Sequence, residues 1–438
     1  MKQQPNPRSA ATIERAVFEP ATLAHRIVRN AKPPASWQVG LEYEVIGYSR
    51  DGLQRIDARS VAAVLHDFAA DGGSTVREDD HAIAVTLPFG SVTIEPGGQI
   101  EFSGAPGARI DDTAFALRRF LDRLHTFAEE RGLLFDAFGF DPLRRLDEQH
   151  WVEKQRYAIM RPYLRTRGGH AWNMMVRTAA IQVSIDYGDA ADLGAKYVLG
   201  NRAAPFVAAM FANSPFADGK LTGLKSTRYA TWLDTDPDRT GAGAGALDGV
   251  FDLNRYVEAV LQTPLFFVER DGRLRNVAGK RLQDLDDARA SDFDHLLSMI
   301  FSEARIRTYV EMRSADSCGP ALALALMAFW KGLTYDAATL QHALEAVPVI
   351  EQSIYRGLQM AVARDALAAE YEGVQVLDVA QRLVRLGREG LALIAPEELR
   401  FLDPLVQNVC EDGVCPADLL LARKISTAQA FIEAARVA

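Results

Sequence analysis

Apolar and polar positions alternate along residues 37–48, WQVGLEYEVIGY. Successive side chains of a strand point to opposite faces. A strand here sends Trp37, Val39, Leu41, Tyr43 and Val45 one way, and Gln38, Glu42 and Glu44 the other. Three further stretches share the pattern. In residues 91–104 a Pro-Gly-Gly turn separates two short strands; Glu95 precedes it, and Gln99, Glu101 and Ser103 share a face after it. In 179–188, Ile181, Val183, Ile185 and Tyr187 oppose Gln182, Ser184 and Asp186. In 305–317, read as one strand, Val310 and Met312 oppose Arg307, Tyr309, Glu311 and Arg313.

Helical spacing marks other segments. Residues 111–132 read as an amphipathic helix with Asp111 or Asp112 as cap, Leu117, Leu121 and Leu124 on one face, and Gly132 at its end. Residues 320–333, 338–346 and 351–371 also carry a helical pattern, and the chain beyond about 320 reads as mostly helix. Strand signals concentrate in the first third. With no regular strand-helix-strand rhythm, the fold class is α+β rather than a doubly wound sheet. Neither a dinucleotide fingerprint nor a Walker A loop is present; EPGGQIEFSG has neither the spacing nor the lysine. GAGAGALDG at 241–249 is expected to form a mobile loop.

Composition narrows the class. The chain has 438 residues, 48% hydrophobic and 24% charged, an ordinary soluble mixture. No stretch approaches the roughly 20 apolar residues of a membrane helix. The first twenty residues have no apolar core of a signal peptide. The formal charge of −9 argues against general nucleic-acid binding. Three cysteines, Cys318, Cys410 and Cys415, suit a reducing cytoplasm; Cys410 and Cys415 read as structural or incidental thiols.

The polar strand faces admit two readings. One is an antiparallel sheet with a face in water. The other starts from the Glu pairs, which have no Lys or Arg between them. Adjacent like charges are costly unless a cation lies between. Carboxylates with an amide oxygen are hard ligands suited to magnesium bound with phosphate.

Eight ordered blocks separate these readings. GLEYE (40–44), IEPGGQIEFSGAP (94–106), FGFDP (138–142), RYAIMRPYL (156–164), RTAAIQVSIDY (177–187), FANSPFADGK (211–220), TRYATWLDTDPDRTG (227–241) and YVEMRSAD (309–316) closely resemble the plant-type and proteobacterial glutamate–cysteine ligases. The resemblance implies a glutamine-synthetase-like carboxylate-amine ligase, with a curved, mainly antiparallel sheet forming a funnel inside helices. It implies residues 1–34 as an N-terminal extension with a leading helix, and 35–438 as a single catalytic domain. It implies that the glutamate γ-carboxylate attacks the γ-phosphate of ATP, and that cysteine's amine attacks the acyl phosphate. The expected cofactor is Mg2+, two or more ions, with ATP as co-substrate. The expected partners are glutamate, cysteine and ATP, without nucleic acid or membrane, in a monomer or homodimer.

By the same resemblance, Glu42, Glu44, Glu101 and Glu311 are metal ligands, joined by Glu95 and Gln182. For Gln182 a hydrogen bond within the sheet is the other reading. Arg313 is expected at the transferring phosphoryl group. Arg228, in Ser226-Thr227-Arg228, is expected to anchor a substrate carboxylate or phosphoryl oxygen. Arg156, Tyr157, Arg161 and Arg177, with Gln99 and Tyr309, are expected to bind substrate; a surface or helix salt bridge is the other reading of the first four. Asp234, Asp236, Asp238 and Arg239 form either a lid over the acyl phosphate or a solvated turn. His150 and His170 read as structural or surface residues.

The match weakens in two places. Ala179 stands where plant relatives carry a cysteine, which puts their regulatory disulfide in doubt here. The segment from Asp403 onward matches less well. Two other functions stay open: the same ligase chemistry with another amine, and a non-catalytic glutamate- or nucleotide-binding member.

Overall fold

Nine strands form one open sheet in which every pairing is antiparallel. They are β1 (Val39–Ser49), β2 (Ser74–Glu78), β3 (His81–Leu87), β4 (Gly90–Ile94), β5 (Ile100–Gly104), β6 (Leu133–Asp136), β7 (Ala180–Ile185), β8 (Ala304–Ile306) and β9 (Val310–Asp316). The order is β8-β9-β7-β1-β5-β4-β3-β2, with β6 on the last four residues of β1. The computed structural model describes residues 18–79 and 81–423, with Thr427, Gln429 and Ile432. Residues 1–17 of the expected extension lie outside this range, and a leading helix spans Pro20–Val28.

Alternation builds the core. Leu41, Tyr43, Val45, Phe102, Ile181, Val183, Ile185, Val310 and Met312 are all buried. Helices Ala190–Met210 and Pro320–Thr334 pack on strands of this sheet. The first is apolar around nearly its whole girth, the mark of a core helix. Asp189 caps it by accepting from the Ala191 and Asp192 amides. Gly200 lets it approach β9 closely: a Cβ there would lie 2.5 Å from Met312 Sδ.

Beyond Pro320, helices Ala337–Ala346, Gln352–Asp365, Val376–Ile394, Leu399–Leu405 and Pro416–Ala422 follow, interrupted by one two-residue strand pair. Three sequence expectations need correction. The segment 351–371 is not one helix: it stops at Asp365, because Ala366 takes φ +48° and redirects the chain. The segment 305–317 is a hairpin, not one strand, with Arg307-Thr308-Tyr309 as its turn. The helix expected over 111–132 runs Ile110–Glu130 after Arg109, so neither Asp111 nor Asp112 caps it. Glu398 instead accepts the Ile110 amide at 2.8 Å, and both aspartates sit in the first turn, favourably for the helix dipole.

The glycine stretch 241–249 is tied down rather than free. The Gly243 amide donates to Asn201 Oδ1 at 2.7 Å, and Arg202 donates to the Ala246 and Asp248 carbonyls. Both anchoring side chains come from the core helix Ala190–Met210.

Candidate active site

The polar face of this sheet gathers most of the charged candidates. Glu44 on β1 stands opposite Glu101 on β5. Glu42 stands between Ser103 on β5 and Gln182 on β7. Glu311 on β9 faces Ser184 on β7 and Arg305 on β8. The strands thus carry a row of carboxylates, with two arginines at the β8–β9 end. The Pro-Gly-Gly turn before β5 fits only glycine at Gly97, where a Cβ would meet the Val176 carbonyl oxygen at 2.2 Å. That turn carries Glu95 to the other end of the row.

Electrostatics separate the row into two halves. Burial, then Glu101 and Glu311, push the Glu42 carboxyl well above the carboxylate range. Burial, then Glu101 and Glu95, do the same to Glu44. Burial and Glu95 raise Glu101 to about 7, against hydrogen bonds from Thr93 and Ser103, each 3.0 Å. Glu42 and Glu101 are partly exposed residues, yet the protein packed around them still penalises their charge. Glu311 behaves oppositely. Burial raises it, but Arg305 and Arg313 outweigh burial and hold it at about 2.

Arg313 bridges the halves by donating to Gln182 Oε1 and Glu311 Oε2. The Gln182 oxygen offered by the sequence as a metal ligand is therefore engaged by Arg313. The Gln182 amide also reaches Glu44 Oε1 at 3.5 Å. Tyr309, in the hairpin turn, lies in the field of Glu311 and Glu42, behind its larger desolvation, and its hydroxyl titrates above its usual value.

Arg228 arrives from the helix Thr227–Leu233. Ser226 caps that helix at the Tyr229 amide and donates to Asp316 Oδ1 at 2.9 Å. Arg228 is buried and donates to the Arg313 and Ser314 carbonyls at 2.9 and 3.3 Å. Its Nε has no partner. Arg228 and Arg313 both stack on Trp232, 6.0 and 5.9 Å from its ring centre. These three, with Glu303 and Phe301, line a small cavity.

Other candidates fall elsewhere. Gln99 accepts from the Gly97 amide and donates to the Thr178 and Met175 carbonyls, so it clasps the turn. Arg177 is buried over Phe140 and bonded to Asp218, Asn173 and the Asp141 carbonyl. Both act as internal ties through these contacts. Arg156 is exposed. Arg161, also exposed, stacks between Trp151 and Trp172 at 4.3 and 5.2 Å. Tyr157 is buried and donates to the Ile94 carbonyl at 3.2 Å. It lies in the field of Glu95, Glu101 and Glu44. The polar loop 234–239 is pinned at two of its four charged positions: Asp236 and Arg239 pair inside the protein at 2.7 Å, while Asp234 and Asp238 are exposed. His170 is exposed and precedes a short helix.

Two residues at the site escaped the sequence reading. Arg305 has the same odd-numbered alternation as Glu311 and Arg313, but the hairpin that brings it opposite Glu311 has no Gly, Pro, Asn or Asp in its turn. Lys154 lies two residues before the start of the RYAIMRPYL block. It donates to the Ile94 carbonyl at 2.6 Å and feels Glu95 and Glu101, although burial dominates and lowers its pKa.

The donor set fits a hard divalent cation. Among the described residues, Glu42, Glu44 and Glu101 have no lysine or arginine hydrogen-bonded to them, and Glu311 Oε1 is buried without a partner. Yet among the described residues no three His, Cys, Asp or Glu converge closely enough to hold an ion. The row is not a closed cage. Mg2+ ordinarily takes one or two carboxylates and fills its shell with phosphate oxygens and water, and a spread row suits that habit.

Comparison with known proteins agrees with this geometry. A family model described as glutamate-cysteine ligase family 2 matches residues 38–435. The chloroplastic glutamate–cysteine ligase of Nicotiana tabacum is 33% identical over 418 residues, spanning 92% of this chain and 80% of its own. Glutamate–cysteine ligase A of Oryza sativa subsp. indica is 32% identical over 418 residues, spanning 92% and 85%. Among solved structures, the Francisella tularensis glutamate–cysteine ligase in complex with AMP superposes with TM-score 0.52 at 13% identity, over 91% of this chain and 87% of that one. At that identity the likeness establishes the fold alone.

Proposed function

The chain belongs to glutamate-cysteine ligase family 2, and from that membership we propose that it uses ATP and Mg2+ to join the γ-carboxylate of glutamate to the amino group of cysteine. The product is γ-glutamylcysteine, formed through γ-glutamyl phosphate. One observation carries the reading: a row of uncompensated carboxylates ends against a pair of arginines on a single sheet face.

ATP and glutamate are both anions, so their approach is repulsive. Mg2+, when bound with the nucleotide, would screen that repulsion. Glu42, Glu44, Glu101 and Glu311 would hold it, with Glu95 nearby. Arg313 supplies a planar fork for the transferring phosphoryl group. Arg228, fixed by the β9 carbonyls, contributes positive charge to the same small cavity. Positioning and charge do most of the work in such phosphoryl transfers.

One assay tests the reading. Purified protein is incubated with ATP, Mg2+ and glutamate, the amine is varied, and products are identified by mass. Cysteine-dependent ADP release with γ-glutamylcysteine supports it. Turnover only with another amine replaces cysteine as acceptor. Binding of ATP or glutamate without turnover replaces the ligase by a binding protein.

A further inference from the structure

Glu311 is held by two arginines that are anchored differently. Both reach the same oxygen, Oε2: Arg305 at 2.6 Å from across the hairpin, and Arg313 from two residues along the same strand. Oε1 stays buried and unpartnered. Arg305 also donates through Nη1 to the Ser298 and Ile300 carbonyls at 2.9 and 3.1 Å. Its guanidinium is thus fixed to backbone on one side and to Glu311 on the other. Among the described residues the Arg313 guanidinium donates to side chains alone, Gln182 and Glu311.

From this asymmetry we infer that Arg305 is a positioning residue: it clamps Glu311 by Oε2 so that Oε1 faces the Mg2+ of the bound Mg–ATP complex. Its hold survives when Arg313 turns toward the phosphoryl group. This rests on the ligase reading above. A buried carboxylate oxygen without a partner is costly unless something fills it, and a bound cation would fill it. Second-shell partners of this kind set how well a ligand carboxylate is presented. Lysine cannot substitute, because a single ammonium on a flexible stem cannot span two backbone carbonyls and a carboxylate as a planar fork does.

The test uses the full-length protein and Mn2+ as probe, titrated by electron paramagnetic resonance in the presence of a non-hydrolysable ATP analogue. Arg305→Lys should weaken Mn2+ binding about tenfold or more, with the KM for glutamate unchanged. Mn2+ binding equal to wild type in a folded Arg305→Lys protein overturns the inference. A second measurement needs no variant: a crystal structure of wild type with Mn2+ and the analogue. Oε1 on the metal with Oε2 still on Arg305 supports the assignment; Oε2 on the metal overturns it. Failure of the ligase reading looks different. A wild type that binds Mn2+ through Glu311 Oε1 yet forms no γ-glutamylcysteine sinks that reading and supports the clamp.

Discussion

Glu44 and Glu101 are direct cross-strand partners, two carboxylates on one face with no arginine or lysine among the described residues bonded to either. Like charges placed opposite each other destabilise a sheet. The pair therefore has a pH signature. Glu101 titrates near 7 in the fold against 4.5 in the unfolded chain. A raised folded pKa contributes stability that is present below about 4.5 and lost as pH rises through about 7. Metal-free protein should lose thermal stability across that window. Saturating Mg2+, which competes with the proton, should raise the melting temperature more at pH 8 than at pH 5.5. Melting curves at both pH values decide this, and an equal Mg2+ effect at both would remove Glu101 from the metal site.

Glu44→Gln separates charge from structure. The Ala180 amide donates to Glu44 Oε2 at 2.9 Å, and a glutamine oxygen can accept the same bond. The fold should stay as stable or gain stability, because a buried, repelled charge is gone. Turnover should fall at least tenfold, about 1.4 kcal/mol in barrier, and half-maximal activity should need more Mg2+. Initial rates over a Mg2+ series measure both; unchanged kinetics at limiting Mg2+ would count against any role for Glu44.

Arg313→Lys should lower kcat more than it raises the KM for glutamate. Arg313 holds Gln182 and Glu311 through Nη1 alone, so its planar guanidinium can keep that hold with one nitrogen and present another to the phosphoryl group, which a single ammonium cannot do. Loss confined to kcat marks an interaction made in the transition state. A rise in KM at constant kcat would make Arg313 a ground-state anchor instead.

What the sequence disclosed follows the range of the signals. Alternation is local, so Glu42, Glu44 and Glu101 could be placed on polar faces from their own strands. Which strands adjoin is set by pairing between residues far apart; the resemblance puts Gln182 and Glu42 in one ligand set, but nothing in the sequence sets one opposite the other. Arg305 shares the parity of Glu311, but only the hairpin, whose polar, glycine-free turn gives no local signal, sets it directly opposite that carboxylate. Gln99 was misplaced for a related reason. Parity put it beside Glu101, but it precedes β5, where its amide folds back on the Gly97 turn. The anchoring of 241–249 depends on Asn201 and Arg202, some forty residues away in the chain, which no local composition signal reports.

Gln99→Ala tests that reassignment. It strands the Gly97 amide and the Thr178 carbonyl in a buried setting, and each lost partner costs about 1–3 kcal/mol. Thermal and urea melts should show the loss, while the KM for glutamate at a permissive temperature should not move. Intact stability with a raised glutamate KM would return Gln99 to the substrate pocket.

The loop 234–239 gives the sharpest contrast between a lid and a pin. A lid must detach, so its charges should be solvated or weakly paired. Here Arg239 donates to Asp236 Oδ2 at 2.7 Å and to the Met299 and Pro264 carbonyls, and lies 4.0 Å over the Phe266 ring. Neither side chain of the pair is exposed. Removing one member of a buried pair costs up to about 3–5 kcal/mol; here Arg167, which donates to Asp236 Oδ1 at 3.1 Å, would still partner the aspartate, so the loss comes from Arg239's own bonds and packing. Arg239→Ala should therefore lower the melting temperature sharply. Asp238 pairs with Arg167 near the surface, where an ion pair contributes about 0–1 kcal/mol, so Asp238→Asn should leave stability nearly unchanged. A lid predicts another pattern: stable variants that hydrolyse ATP without forming product, because water reaches the acyl phosphate. Melting curves and the ratio of ADP released to product formed, measured on both variants, distinguish the two. Wild-type stability in Arg239→Ala, with ADP released in excess of product, would restore the lid.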